Sequence, residues 1–453
     1  MKRIIYPFLS AILIFTLACT NKNKPAKSET NQPIMIPNVF PEKGLTDAHT
    51  IIDNGRLYAF CGHDKTWDTE NAWIMDRWEI WSTDNLVDWK KENEIHPKDT
   101  YIGDIPNCFA GDIISRNGKY YWYFSNRNIS TGVMVSDSPT GPFKDALGKP
   151  LLPEGIVPVH AYDPEIFEEN GTYTIIFGAG HYHAATLSED MISLADEPKP
   201  ILVLDKEGKD MWTADKSCIF KRDGKYYLIW EEKYAISDHL RGPYTYMGES
   251  LKGGHCNVFE WEGQHYALLE NKDISLFYRG VSLKPLHFNK DGSIIIPEDD
   301  AGFPANGRAW NFEHSEMGWR AISGTDVNWD QSGKIYGKLS GNAVIESSVW
   351  LLTNLKEHQT LVIRMKNESS ATQAKISIAS TELKGAFWKN PEINWDDQDH
   401  ILVDVKANSA EIQEFEIDLS TLPKLKSILK RLRIEPAVGA SEGSWEIESI
   451  QVN

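Results

Sequence analysis

Residues 118–121, Gly-Lys-Tyr-Tyr, show a pattern that recurs five times in this chain: a turn glycine, then tyrosine within three residues, then a strand-like apolar run. Each glycine follows Asn, Asp or Glu, which is the composition of a tight hairpin turn because glycine adopts a positive φ without steric cost. The pattern predicts five hairpins, with turn glycines at Gly55, Gly118, Gly171, Gly224 and Gly263.

The hairpins belong to a longer repeat. Successive turn glycines are 63, 53, 53 and 39 residues apart, which suits about four short strands and their loops. A serine-containing turn follows most hairpins after one more apolar run, at residues 82–86, 136–139, 188–191 and 237–240. Long helical periodicity is nearly absent from residues 37–305. A β-sheet unit repeated five times must bury its edges, so we predict an all-β fold with a five-bladed β-propeller; a run of β-sandwiches is the alternative.

The glycine repeat stops near Asn306, and the pattern of apolar and polar residues changes. Residues 340–365 and 372–381 alternate apolar and polar side chains, as does the closing segment SWEIESIQVN. This alternation predicts that residues 306–453 form a C-terminal β-sandwich of jelly-roll type. Four tryptophans of this segment either stack on sugar or brace the fold, and the sequence leaves both readings open: Trp319, Trp329, Trp388 and Trp395.

Composition restricts the partners of the chain. The 453 residues carry a net charge of −18, which argues against nucleic acid or an anionic membrane surface as a ligand. The 16 Trp, 17 Tyr and 17 Phe present flat apolar faces that suit sugar rings as well as protein cores. The four cysteines after Cys19 lack the spacing of a metal site; they either pair or remain buried thiols.

The N-terminus has the pattern of an export signal. Lys2 and Arg3 precede an apolar run from Ile4 to Leu17, which is too short for a membrane span. Thr16-Leu17-Ala18-Cys19 resembles a bacterial lipobox, so residues 1–18 are predicted to be a signal peptide, with Cys19 as the lipid anchor. Residues 19–36 then form the anchor and a tether. These features predict an exported lipoprotein of the bacterial cell envelope, facing the periplasm and touching the membrane only through its lipid.

One polar residue recurs six to nine residues before each turn glycine, where the innermost strand of a blade would run. The five residues are Asp47, Asp112, Asp163, Asp215 and His255. A similar phase in every blade would direct them to one axis. Four carboxyls in a partly desolvated funnel raise one another's pKa values, and separated pKa values are what acid–base chemistry at a glycosidic bond requires. The alternative is that each aspartate caps its own turn.

Several ordered segments of residues 37–305 resemble glycoside hydrolase family 43, the five-bladed propeller furanosidases and xylosidases. They are TDAHTIIDNGRLY (46–58), RWEIWSTDNLVDW (77–89), GVMVSDSPTGPF (132–143), YDPEIFEENGTYTIIF (162–177), IFGAGHYHAATLSEDM (176–191) and GGHCNVFEW (253–261). The resemblance implies single-displacement hydrolysis with inversion. In it Asp47 is the general base, Asp163 modulates the acid's pKa, and residues 213–228 place Asp215 at the general-acid position.

The family typically has glutamate where this chain has Asp215. Aspartate is one methylene shorter, so the leaving-group oxygen has to come closer to it. Four residues are candidates to wall the sugar subsite, and packing between blades is the open alternative for each: Trp73, Trp78, Phe109 and His181. Asp112 and His255 complete the predicted substrate-binding residues. The resemblance requires no cofactor, and it places His255 near a water or a structural calcium ion.

The predicted function is hydrolysis of O-glycosidic bonds in plant-type polysaccharides or their oligosaccharides, of α-L-arabinofuranosidase or β-xylosidase type. The competing hypothesis is a non-catalytic glycan-binding propeller, which the aspartate at the acid position motivates.

Overall fold

The computed structural model describes residues 35–65, 72–298, 300, 308–313, 315–330 and 332–453. The predicted signal peptide, Cys19 and most of the tether lie outside the described residues, as does the predicted domain boundary after residue 305. Within the described ranges no helix is long and apolar enough to cross a membrane. The helical elements there are four single 3-10 turns, at Pro97–Asp99, Phe387–Lys389, Trp395–Asp397 and Leu419–Thr421.

The first three blades are four-stranded antiparallel sheets whose strands pair in sequence order. Blade 1 contains β1 (Leu45–Asp53), β2 (Arg56–Asp64), β3 (Met75–Thr83) and β4 (Lys90–Ile95). Blade 2 contains β5 (Cys108–Arg116), β6 (Lys119–Asn126), β7 (Ser130–Ser136) and β8 (Lys144–Asp145). Blade 3 contains β9 (Glu165–Glu169), β10 (Thr172–Phe177), β11 (His183–Thr186) and β12 (Lys199–Pro200).

The last two blades vary this plan. Blade 4 contains β13 (Val203–Leu204), β14 (Cys218–Arg222), β15 (Lys225–Trp230), β16 (Lys233–Ser237) and β17 (Tyr244–Glu249), with β13 parallel to β17. Blade 5 contains β18 (Cys256–Trp261), β19 (Gln264–Ser275) and β20 (Tyr278–Pro285), followed by the small hairpin β21 (His287–Phe288) and β22 (Ile294–Ile295). The backbone of Ile36 pairs with Leu283 of β20, so the start of the described chain completes the last blade and closes the ring.

The predicted hairpins are confirmed, and the backbone shows why the sequence specifies them. All five consist of two loop residues that both have positive φ, as in Asn117 (52°) and Gly118 (75°). This is the two-residue turn whose twist matches that of the flanking strands. The serine-containing turns also lie where predicted, each between the third and fourth strands of a blade's antiparallel run.

The C-terminal part is an antiparallel sandwich around one hydrophobic core. Its strands are β23 (Ala309–Trp310), β24 (Arg320–Thr325), β25 (Asn328–Trp329), β26 (Ile335–Glu346), β27 (Thr360–Ser369), β28 (Gln373–Thr381), β29 (Asp399–Asp404), β30 (Gln413–Asp418), β31 (Ile428–Glu435) and β32 (Gly443–Val452). The first half of β26 pairs with β32 and its end pairs with β31, so this long strand joins the two layers.

The four tryptophans singled out in the sandwich are engaged within the protein. Trp319 is buried in the core, and Trp329 donates a hydrogen bond to the carbonyl of Phe312. Trp388 packs against Trp73 of the propeller, and the Arg433 guanidinium lies over the ring of Trp395. These contacts fit the structural-brace reading; sugar binding by this domain stays a prediction.

Candidate active site

Five innermost strands carry two layers of side chains to the axis of the ring. The residues eight positions before each turn glycine form the first layer, here called the pocket layer: Asp47, Ala110, Asp163, Lys216 and His255. The residues six positions before each glycine form the buried layer: His49, Asp112, Glu165, Cys218 and Asn257. Of the five polar residues expected to share a similar position in their blades, Asp47, Asp163 and His255 occupy the same one. Asp112 belongs to the buried layer, and Asp215 lies one residue before the pocket-layer position of blade 4.

Three pocket-layer positions share an unusual backbone conformation, although the amine of Lys216 lies against Glu165 of the buried layer and does not line the pocket. Asp47, Asp163 and Lys216 have φ values of 53°, 55° and 47°, in the left-handed region that non-glycine residues seldom occupy. Aspartate tolerates this conformation better than most residues, and the register of β1 shifts beside Asp47. Such backbone strain persists where the surrounding structure over-determines it, commonly at functional sites.

His255 lies between the two carboxylates assigned to acid–base chemistry. Its Nδ1 is 2.8 Å from Oδ1 of Asp47, and its Nε2 is 3.4 Å from Oδ1 of Asp215. Burial lowers the pKa of His255, but the two carboxylates outweigh burial and raise it well above its ordinary value. The ring is therefore an imidazolium at neutral pH, and it separates the two carboxylates from each other.

Asp47 is held in its ionised form. Burial raises its pKa, yet the Arg279 guanidinium and the His255 imidazolium together lower it far below the ordinary value. Nη1 of Arg279 lies 3.4 Å from Asp47 and 2.8 Å from Glu270, while its other nitrogens donate to both oxygens of Asp64. An ionised carboxylate fixed in this way is suited to accept a proton from water.

The remaining two carboxyls differ in protonation. Burial and the nearby charge of Asp215 raise the pKa of Asp163 to about 7, against the attraction of His255, and Oδ2 of Asp163 has no hydrogen-bond partner among the residues that the structure describes. Burial also raises the pKa of Asp215, but His255 and the Tyr162 hydroxyl, which donates to it at 3.0 Å, lower it to about 2. Carboxyl oxygens of Asp163 and Asp215 lie within 4.8 Å of each other and of His255. Below about pH 7, Asp163 is therefore the protonated carboxyl of this pair in the free protein.

A cavity of about 290 Å³ opens onto these groups. Among the predicted site residues, Asp47, Asp163, Asp215, His255, Trp73 and Phe109 line it. Trp78 does not reach it, because the ring is fully buried between blades and donates to the carbonyl of Phe109. Asp112 lies below it in the buried layer, 3.1 Å from His49. His181 is outside it, pairs with Asp210 and packs against the exposed Trp212.

The cavity lining includes polar residues that the sequence analysis did not single out, among them Tyr162, Arg279, Glu270 and Lys272. Tyr162 directly precedes Asp163 and is the first residue of the segment 162–177, so the sequence motif could have indicated it. The other three lie on β19 and β20 of blade 5, the second and third strands, where no repeat in the sequence marks an axial position.

Comparison with known proteins relates the propeller to a family. A family model described as "Glycosyl hydrolases family 43" matches residues 36–250. The propeller is similar to the domain of family 43 glycoside hydrolases. A xylosidase/arabinosidase of Bacteroides ovatus is 26% identical to the chain over 338 residues, covering 60% of this chain and 98% of the relative.

Solved structures share the fold. A family 43 enzyme of Xanthomonas citri, crystallised with xylose, has a TM-score of 0.52 at 22% identity, over 58% of this chain and 94% of that one. A family 43 arabinoxylan arabinofuranohydrolase of Bacillus subtilis has a TM-score of 0.50 at 17% identity and spans 92% of this chain and 98% of its own. These likenesses show the propeller fold, and the family model together with the named relatives shows that the chain is a glycoside hydrolase.

The residues on the axis do not fit a calcium ion. Three groups of carboxylates and histidine lie close enough to hold one: Asp47–His255–Glu270, Asp163–Asp215–His255 and His49–Asp112–Glu165. Arg279 contacts Asp47 and Glu270 in the first group, and the His255 imidazolium belongs to the first two. The Lys216 amine lies 3.0 Å from Glu165 in the third. Each group already contains a cation supplied by the chain, so we assign no step to calcium.

Proposed function

We propose that the protein releases a terminal arabinofuranosyl or xylosyl residue from plant-type oligosaccharides by hydrolysis with inversion. The observation that supports this most directly is the axial cavity, in which an ionised Asp47 and a pair of carboxyls sharing one proton lie on different sides of one imidazolium. The cavity volume of about 290 Å³ suits one sugar ring and little more. The relative from Bacteroides ovatus bears the name of both activities.

In the proposed mechanism, Asp47 deprotonates the water that attacks the anomeric carbon while Asp215 protonates the departing oxygen. The intervening imidazolium keeps the two carboxylates apart, as an inverting mechanism requires to admit the water. Asp163 holds the proton in the free protein. Sugar binding displaces solvent from Asp215, which raises the pKa of this carboxyl and moves the shared proton towards it.

Asp215→Asn should affect substrates according to their leaving groups. A poor leaving group needs protonation as the bond breaks, so we expect kcat to fall by about 10²–10⁴-fold on an oligosaccharide. An aryl glycoside with an acidic phenol needs little protonation and should lose far less. The measurement is kcat on a series of aryl furanosides and xylosides alongside the natural-type oligosaccharides. Equal losses on all of them would remove Asp215 from the acid role, with Glu231 at the cavity wall as the next residue to test.

The pH profile should report the proton shared by Asp163 and Asp215. Since the pKa of Asp163 is raised to about 7, the proton is present below that pH and lost above it. We therefore expect kcat/KM to decline as the pH rises through about 7. Asp163→Asn keeps the left-handed backbone but removes the carboxyl that stores the proton, so the decline should move to lower pH by at least about one unit. An unchanged profile in this variant would contradict the shared-proton model.

We also propose that the chain is exported and held at the bacterial cell envelope by a lipid on Cys19. The apolar run before Cys19 and the Lys, Asn, Pro and Ser-rich segment after it support this. The full-length protein should enter the detergent-rich phase in a phase separation, and Cys19→Ala should not. Entry of both proteins into the aqueous phase would refute the anchor.

A further inference from the structure

A second recess opens beside the catalytic cavity, at the seam between blade 5 and the sandwich. It has a volume of about 280 Å³, and we call it the basic recess after Lys272 and Arg308, which line it together with Trp350, Leu352 and His358. Lys272 lines the catalytic cavity as well, so the two spaces adjoin. Lys272 is also close to the general base through a short series of contacts: 3.6 Å to Glu270, then from Glu270 to Arg279.

The charge of this recess is opposite to that of the whole chain. The net charge is −18, yet the described residues that line the recess include two basic side chains and no carboxylate. Nη1 of Arg308 donates to Nε2 of His358 at 2.9 Å, which fixes the guanidinium and leaves its other N–H groups available. Among the described residues no carboxylate lies within ion-pair distance of Arg308, although most arginines of this chain have such a partner.

The floor of the recess is strained. Trp350 and Leu352 have φ values of 63° and 62°, which are rare for bulky side chains. Trp350 is 4% exposed and packs against Phe387, so its ring lies beneath the lining of the recess, and Leu352 contributes to the apolar base. A hollow of this size with an apolar base and fixed N–H donors matches one sugar ring that carries an anionic group.

We propose that the basic recess binds the carboxylate of a uronic acid in the leaving-group part of the oligosaccharide, while the sugar to be released occupies the catalytic cavity. This inference rests on the proposed function and names its substrate class: acidic rather than neutral oligosaccharides. Arg308 supplies the planar donor pair that a carboxylate prefers, and Lys272 adds a second positive charge on the side facing the catalytic cavity. Both groups act in binding, and neither takes part in the chemical step.

The test compares two substrates that differ at one carboxyl group, which is ionised in one and esterified in the other. One is a xylo-oligosaccharide in which the unit beside the cleaved sugar bears glucuronic acid, and the other is its methyl ester. Because hydrogen bonds to a charged group are stronger than neutral ones, wild-type kcat/KM should be about tenfold higher on the acid, and this ratio should fall with added salt. Arg308→Gln should bring the ratio to within about twofold.

Arg364→Gln is the matched control, since Arg364 lies on β27 of the sandwich, pairs with Glu414 and Glu448, and does not line the recess. It should keep the tenfold ratio. A wild-type ratio near one, or an unchanged ratio in Arg308→Gln, would overturn the proposal while hydrolysis of aryl glycosides still upheld the proposed function.

If the protein cleaves none of these substrates, the proposed function is wrong. The proposal that the basic recess binds a carboxylate is then tested by binding measurements alone. Calorimetric titration with the same acid and ester then decides. Tighter binding of the acid that is lost in Arg308→Gln supports the recess, and equal binding of acid and ester overturns it.

Discussion

Asp47→Asn should lower kcat by about 10²–10⁴-fold, the usual worth of a positioned general base. The amide cannot accept a proton from water, but it keeps the size of the side chain and tolerates the left-handed backbone at this position. Arg279 would retain its ion pairs with Asp64 and Glu270, so the fold should persist. The measurement is single-substrate kinetics together with thermal unfolding.

Asp112→Asn is the matched control for that variant. It makes the same chemical change one layer below the cavity, at a carboxyl whose pKa burial raises to about 6 and which does not line the cavity. We expect a much smaller loss of kcat than in Asp47→Asn. Similar losses of kcat in the two variants would show that activity depends on any carboxylate near the axis. That result would contradict the role of Asp47 as the general base.

Lys216→Met should destabilise the protein by about 3–5 kcal/mol, the usual cost of removing one partner of a buried ion pair. The amine is fully buried, lies 3.0 Å from Glu165, and donates to the carbonyls of Pro164 and Ser217. Burial lowers the pKa of Lys216, but Glu165, Asp112 and Asp163 outweigh burial and raise it. Without this cation, buried carboxyls of the axis would lose their counter-charge.

Urea unfolding of Lys216→Met and of the double variant Lys216→Met/Glu165→Gln measures this effect. The second change removes the carboxylate that the first leaves unpaired, so the double variant should recover part of the lost free energy. If the single variant does not fold, the double variant still tests the prediction, because it should fold again when the unpaired carboxylate is removed. A single variant that loses less than about 1 kcal/mol would show that Lys216 is not the counter-charge of the axis.

The sequence was enough to predict the ring because its turns are local. A glycine that follows Asn, Asp or Glu in a two-residue turn sets the backbone angles locally, and five such turns along the chain leave few ways to bury the sheet edges. The same reasoning placed Asp47, Asp163 and His255 on the axis. The axial residue of blade 4 was harder to predict, because the acidic residue of this blade is adjacent in sequence to the residue at the axial position. Counting eight residues from Gly224 gives Lys216, whereas the family pattern selects Asp215.

The other missed features depend on tertiary packing. Arg279 reaches Asp47 from the third strand of blade 5, across a sequence separation of 232 residues. Trp78 belongs to a segment with family resemblance, but its ring packs between blades 1 and 2, where it contacts Trp122 and Phe124. Period-two alternation cannot show whether an aromatic ring faces a neighbouring blade or the cavity. Protonation states were likewise unreadable, since they follow from burial and from partners on other strands.

The closure of the ring imposes an order on the synthesis of the protein. The backbone segment at Ile36 and Val39 completes blade 5 by pairing with Leu283 and Val281 of β20. The strand partners of these early residues are therefore absent until almost all of the propeller has been translated. Contacts of such long sequence separation form late, and an open ring exposes strand edges in the meantime. A ribosome stalled within blade 5 would hold a nascent chain with both edges available to chaperones or to aggregation, and release of β20 would end that interval.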